Sequence, residues 1–484
     1  MLLVLGIIYK VISDTLRDES SLGYGLDVAM TVVLVGSFVG AILWSAREER
    51  TITRVLDSLS LGAVLLRAEE QIDGPIRERL ADGTIRLLSC AWLLSADSDQ
   101  YLVAMRQSLG HDASGKVIML RRQELPMEAF LTNEGAVALF DRADRSILAL
   151  SYRWLTAAHP DPLGTALEAV RRFLSSEAEL CKCALFWDFA SLPQKDTAGG
   201  PRTDEETVIF TRGLKGMGYF YASICCTAIV QLKDIPPRPS EYDGRMIVFD
   251  KAFSESTSEK DVITDLERFG GQINEIAIKA GEAHVAFATH EQAKDCIAQL
   301  DKVKRGADTV YNETAYSRDR GEPFSGWCTF EEGASKLAAA HLNMASRQAS
   351  KRSAVLPKRL LRANASRAKL IDISDGKVRK VDVDESPVAV LKQTSDDLEI
   401  AKFVGKGVAE KVKQLLAELE WSMHTAMEQA TADHMRRGQK EKRPRSSPDA
   451  SVASSSARQS SPLTGLAPLS RGVECGYSCN AHSV

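Results

Sequence analysis

Three apolar runs organise the middle of the chain. Residues 147–152 (ILALSY), 183–189 (CALFWDF) and 224–232 (ICCTAIVQL) are each of strand length and nearly free of charge. Such runs belong to strands buried on both faces of a parallel sheet, where no polar alternation is needed. Between the first two, Leu167, Val170 and Leu174 recur at helical spacing behind Asp161 and Pro162, which suit a cap and first turn. Between the second and third, Asp204, Glu205 and Glu206 open another helical pattern through Ile209, Leu214 and Met217. Strand, helix, strand, helix, strand predicts parallel strands with right-handed crossovers, and ligands on such sheets sit beyond the carboxyl ends of the strands. Those ends carry Ser151, Tyr152, Arg153 and Trp154, then Asp188 and Gln194.

Residues 243–303 have a different rhythm and read as an insertion. Residues 246–249 form a short apolar run, and Ser258 can cap a helix whose Val262, Leu266 and Phe269 share a face. Ile276 and Ile278 alternate, as do Ala283, Val285 and Phe287, before a helical set of Ala293, Ile297 and Leu300. This order resembles the RNA-recognition motif, a ferredoxin-like fold, with VAFATHEQAKDCIAQL matching its third strand and second helix. Base stacking on that fold needs aromatic side chains on the central strands. The aligned positions hold Val248, Glu282 and His284, so protein packing is expected of this module and RNA binding is not.

The flanks carry other patterns. Residues 28–45 are an uncharged run of about the minimum length for a bilayer, ending at Trp44 and followed by Arg47, Arg50 and Arg54. With Gly36 and Gly40 spaced four apart, this predicts one transmembrane helix in an anchor over 1–50 and places the body on the cytoplasmic side. Residues 1–12 are apolar but interrupted by Lys10 and lack a cleavage region. Residues 51–146 read as a linker subdomain that carries no motif and packs against the sheet, with strands expected over 84–94 and 116–120 before an acidic, helical stretch at 123–140. Residues 343–393 read as a basic linker, since 343–369 hold eight Lys or Arg and no acid; they would face anionic lipid or an RNA backbone, or stay solvated. Val408, Val412, Leu415, Leu419, Met423 and Met427 predict an amphipathic docking or dimerising helix within 394–436. Residues 437–484 lack apolar periodicity and read as disordered.

Composition narrows the class without naming it. With 484 residues, 44% hydrophobic and 26% charged, there is room for two or three globular domains. Nine cysteines, among them adjacent Cys225 and Cys226, do not form a disulfide framework. Cys475, Cys479 and His482 lie in the polar tail and read as terminus rather than metal ligands, so no metal or bound cofactor is expected.

The chemistry-bearing motifs are LSYRW at the first strand end, FWDFASLPQ at the second, Met217 with Tyr221, and GWCTFEE at 326–332. Their order resembles fungal heterokaryon-incompatibility (HET) domains, a fold similar to Toll/interleukin-receptor (TIR) domains, over 147–242 and 304–342. The resemblance implies an α/β fold, a TIR/flavodoxin-like parallel sheet flanked by helices, with the RRM-like α+β insertion and the transmembrane helix attached. It also implies that Glu331, four residues after Trp327, matches the carboxylate that cleaves NAD in enzymatic TIR domains. Ser325 stands where the HET pattern has Arg, the nearest being Arg320, and Ala190 or Ser191 replaces its Cys.

Two functions of different class follow. In one, the protein is a membrane-anchored signalling or scaffold module with protein partners or self-association. In the other it hydrolyses NAD or a related nucleotide as substrate: Glu331 stabilises the cationic sugar, Arg153 holds a phosphate, and Tyr152 and Trp327 stack on a base. An RNA-associated role is a third. The structural alternative pairs Glu331 or Glu332 with Arg153 or Lys336, makes Trp327 and Phe330 core, leaves His159 as a turn residue and has Asp188 cap its loop through Ser191.

Overall fold

The computed structural model describes residues 61–425 apart from 110–115, 196–199, 251, 255, 280, 352–355, 404–407 and 422–424. The three apolar runs become β2 (Ile147–Tyr152), β3 (Ala184–Phe186) and β4 (Thr227–Leu232), buried along their whole length. They lie parallel and adjacent in the order β3-β2-β4.

The expected all-parallel sheet is corrected at both sides. The six-stranded sheet is mixed, running β1-β3-β2-β4-β9-β10. At one edge β1 (Leu88–Ser89) pairs antiparallel with β3. On the other side β9 (Leu370–Asp372) continues the parallel set beside β4, and β10 (Arg379–Val381) turns back antiparallel on it. The reason is that 51–146 supplies a strand within the expected 84–94 stretch, paired antiparallel, and that 343–393, read above as a basic linker, supplies two more. Residues 370–372 (LID) are too short for periodicity to reveal, yet are fully buried.

Three of the basic residues of 343–369 are tied into the fold by hydrogen bonds. Arg362 Nη1 donates to the Arg142 carbonyl at 2.6 Å and Arg367 Nη1 to that of Arg145 at 3.2 Å. Lys369 is buried, with Nζ donating to the Ser223 carbonyl at 2.6 Å and to Thr227 Oγ1 at 2.9 Å, and burial holds its pKa well below the usual lysine range.

Helices cover both faces of the sheet. One face packs on α1 (Leu61–Ala81), α2 (Asn133–Asp141), α4 (Asp204–Ala222) and the long α7 (Gly326–Lys351); the other packs on α3 (Thr165–Leu174). Strand alternation decides which side chain meets which layer. Ile147 and Ala149 face the α1, α4 and α7 layer, whereas Leu148, Leu150 and Tyr152 face α3. After α8 (Lys358–Ala365) and α9 (Pro387–Ile400), residues 408–421 are helical and bury Val408, Val412, Leu416 and Leu419 in the first layer.

The insertion folds around its own core. Strands β5 (Arg245–Phe249), β6 (Ile273–Lys279), β7 (Glu282–Phe287) and β8 (Gly306–Thr309), with helices at Glu259–Gly270 and His290–Lys302, give β-α-β-β-α-β in the antiparallel order β6-β7-β5-β8. This is ferredoxin-like connectivity. Val248 packs in the core with Met246 and Val285, so it does not sit on the open sheet face as the alignment above has it. Phe249, one residue on, is exposed at 46%. It pairs across the sheet with Glu282, whose carboxylate lies 2.9 Å from His284 Nε2.

The membrane expectation is also corrected. Among the described residues no helix is long and apolar enough to cross a membrane, so a single-pass membrane protein is not supported. The segment 28–45 on which that expectation rested lies outside the described residues, as do Met423, Met427 and 437–484.

Candidate functional site

Consecutive strand residues point to opposite faces, and this splits the LSYRW motif into two groups. Ser151 turns toward α7 and Tyr152 toward the opposite layer.

On the α7 face, Ser151 Oγ donates to Glu331 Oε2 at 2.6 Å. The Tyr316 hydroxyl lies 2.6 Å from the same Oγ and accepts from Gln231 Nε2 at 3.2 Å. Ser151 and Gln231 are register partners on β2 and β4. The two strands adjoin at the point where one crossover leaves toward β3 and the other chain leaves toward β9, the position at which open α/β sheets hold ligands. Tyr221 OH donates to the Leu150 carbonyl at 3.3 Å and is a second hydroxyl beside Glu331. Burial pushes the Glu331 carboxyl up to about 8; the negative charge of Asp188 adds to this, while the Ser151 and Tyr221 hydroxyls act against it. Glu331 is therefore a proton-bearing acid at neutral pH, enclosed by hydroxyls.

On the other face, Asp188 accepts from Trp154 Nε1 at 2.9 Å, from its neighbour's backbone Phe189 N at 2.7 Å and from Tyr152 OH at 3.3 Å. Trp187 Nε1 donates to Tyr152 OH at 2.8 Å. Burial pushes Asp188 up to about 6 against these donors. Gln194 donates to the Asp188 carbonyl at 3.1 Å and accepts from Arg202 at 3.3 Å, so it shapes the loop after β3 and does not reach Glu331. Ser191 serves that loop by accepting from Trp187 N at 3.1 Å.

Arg153 stands apart from both groups. Nη1 reaches Ser325 Oγ at 3.4 Å, while Nε and Nη2 have no hydrogen-bond partner among the described residues although the residue is buried. Burial holds its pKa below the usual arginine range. Its neighbour Cys328, on the first turn of α7, is pushed up to about 12 by burial and by Glu331, so it is no thiolate nucleophile. Glu332, not Glu331, forms the ion pairs, at 2.8 Å to Lys336 and 3.4 Å to Lys233. Trp327 is half-buried and meets Phe330 edge to face at 6.4 Å, a core contact rather than a stacking platform beside Tyr152. His159 is a turn residue whose Nδ1 accepts from Asp161 N at 3.0 Å.

The chain itself covers the carboxyl end of the sheet. Between the insertion and α7, Asn312 N donates to the Leu155 carbonyl at 2.7 Å just past β2. Tyr316 then sits over β2 and β4, and Arg320 reaches Asp372 at the end of β9 at 3.7 Å. Residues 311–325 thus form a strap across three strand ends. Sequence reasoning missed Tyr316, which lies in a segment without periodicity. It also passed over Gln231, whose signal was a lone amide inside an apolar run.

Compared with known proteins, the chain matches no family model, no curated protein and no solved structure.

Proposed function

We propose that this chain is a signalling or scaffold module, built on a HET/TIR-like α/β unit and working through its protein-binding surfaces. One observation carries the reading: Glu331 is buried beneath the 311–325 strap, with Ser151 Oγ donating to its Oε2 at 2.6 Å. A carboxyl so enclosed organises the domain rather than meeting a ribose. Exposed aromatics supply surfaces for a partner: Phe249 on the open sheet of the insertion and Trp421, 68% exposed, at the end of the 408–421 helix.

A second reading, hydrolysis of NAD or a related nucleotide with Glu331 catalytic, is favoured by one feature. Two carboxyls of displaced pKa, Glu331 and Asp188, lie on opposite sides of the end of β2, and Arg153, the next residue along the chain, is buried with Nε and Nη2 lacking a hydrogen-bond partner among the described residues. In that reading the strap lifts and Arg153 takes a phosphate.

Nicotinamide release from NAD, followed for the full chain and for Glu331→Gln beside sedimentation over a range of concentrations, separates the two. The module reading expects no release from either and the same association in both. Release by the wild type that disappears in Glu331→Gln would replace it with the hydrolase reading.

A further inference from the structure

Away from the sheet end, α1 brings Glu69 and Asp73 onto one face, four residues apart. They meet Cys226 in the turn before β4. One carboxylate oxygen from each and Cys226 Sγ lie within 4.8 Å of one another, all three residues being buried. Arg359 Nη2, from α8, sits among them at 3.2 Å from Glu69 Oε1, 3.4 Å from Asp73 Oδ2 and 3.3 Å from Cys226 Sγ. A single cationic nitrogen thus occupies the centre of a three-donor cradle.

Two further features distinguish this cradle from a closed salt bridge. Asp73 Oδ1 has no hydrogen-bond partner among the described residues although Asp73 is only 6% exposed, so a buried acceptor remains to be filled. The Arg359 side chain is 39% exposed, against 3% for Glu69 and 8% for Asp73, and the cradle therefore opens to solvent along the arginine.

We propose that Glu69, Asp73 and Cys226 form a binding site for a divalent cation of the zinc class, whose place Arg359 Nη2 holds until metal displaces it. A thiolate with two carboxylates suits Zn²⁺ better than the hard cations Mg²⁺ and Ca²⁺, which prefer oxygen alone. Zinc takes oxygen at about 2.0–2.2 Å and sulfur at about 2.3 Å, so each donor would close in by roughly 1 Å from its distance to the arginine nitrogen. Cys225, which adjoins Cys226 in sequence and whose thiol interacts with Glu69, is the candidate for a fourth position.

The charges balance. Counted with one proton on the acid pair and one on the Cys226 thiol, the metal-free cradle carries one negative charge against Arg359. Binding M²⁺ sends both protons to solvent and forms two M–O bonds and one M–S bond. Three anionic ligands on a dication again leave one negative charge, and the guanidinium, swung to the rim, faces it.

Cobalt titration of the full chain, stripped with chelator and kept reduced, tests this. The expected result is one cobalt per chain with a thiolate-to-cobalt charge-transfer band, lost in Cys226→Ser and at least tenfold weaker in affinity in Asp73→Asn, should the serine variant not fold. Arg359→Gln should bind at least tenfold more tightly, because the competing cation is gone. A wild-type chain without the band overturns the proposal, as does a band that survives both ligand substitutions or an Arg359→Gln affinity no higher than wild type.

Discussion

Ser151 and Glu331, 180 residues apart in sequence, share a 2.6 Å hydrogen bond at the junction of β2 and α7. The bond joins a central strand to the longest described helix, and Tyr316 adds the strap to the same serine hydroxyl. A central strand, a long helix and the strap that leads into it therefore share one buried polar group.

Removing the serine hydroxyl leaves a buried carboxyl with one donor fewer. Ser151→Ala should cost about 1–3 kcal/mol, the usual penalty for an unsatisfied buried polar group. In a double-mutant cycle with Glu331→Gln, urea denaturation should give a coupling of about 0.5–3 kcal/mol between the two sites. Simple additivity would show that the contact does not hold β2 to α7.

The raised carboxyls make stability fall as pH rises. Glu331 is pushed up to about 8, Asp73 to about 7 and Asp188 to about 6, each chiefly by burial. Between the ordinary carboxyl range and those values the folded chain holds protons that the unfolded chain has lost, and unfolding is then favoured by raising the pH. The loss through Glu331 runs from about pH 4.5 to about pH 8 and levels off above it. Urea midpoints at pH 5, 6.5 and 8 should decline more steeply for the wild type than for Glu331→Gln, which has no proton to lose. Parallel declines would mean that Glu331 is ionised in the fold.

Tyr316→Phe keeps the ring that fills the space under the strap but deletes the hydroxyl between Ser151 and Gln231. A loss of about 0.5–1.5 kcal/mol is expected for a net hydrogen bond. Amide exchange should accelerate over 311–325 before it does so in β2. Unchanged exchange there would show that the strap is held by Asn312 and Arg320 instead.

Gly333 sets how closely α7 approaches α9. A Cβ at this position would collide with the Thr394 side chain, which is itself fixed by Thr394 Oγ1 donating to the Val390 carbonyl at 2.8 Å. Gly333→Ala should destabilise by about 1–3 kcal/mol through overpacking, and Thr394→Ala should recover part of that loss in thermal melts. Recovery absent, the cost would lie in the helix backbone and not in the contact.

The sequence by itself determined the central strands, because a strand buried on both faces must be apolar at every position and so is visible as an unbroken run. It equally marked the core helices of the insertion, where Val262 and Leu266, and Ala293 and Leu300, show the spacing of one buried face. Ser151 and Glu331 were both picked out as chemical candidates, but their pairing was not, since hydrogen bonding across 180 residues leaves no periodic trace. Only the tertiary structure decided that Ser151 and Tyr152 serve opposite faces of the sheet, that three residues at 370–372 complete its parallel set, and that Tyr316 closes the ligand end. A two-residue period separates neighbours to opposite layers, while a short strand or a strap draws its position from what it packs against and not from its own pattern.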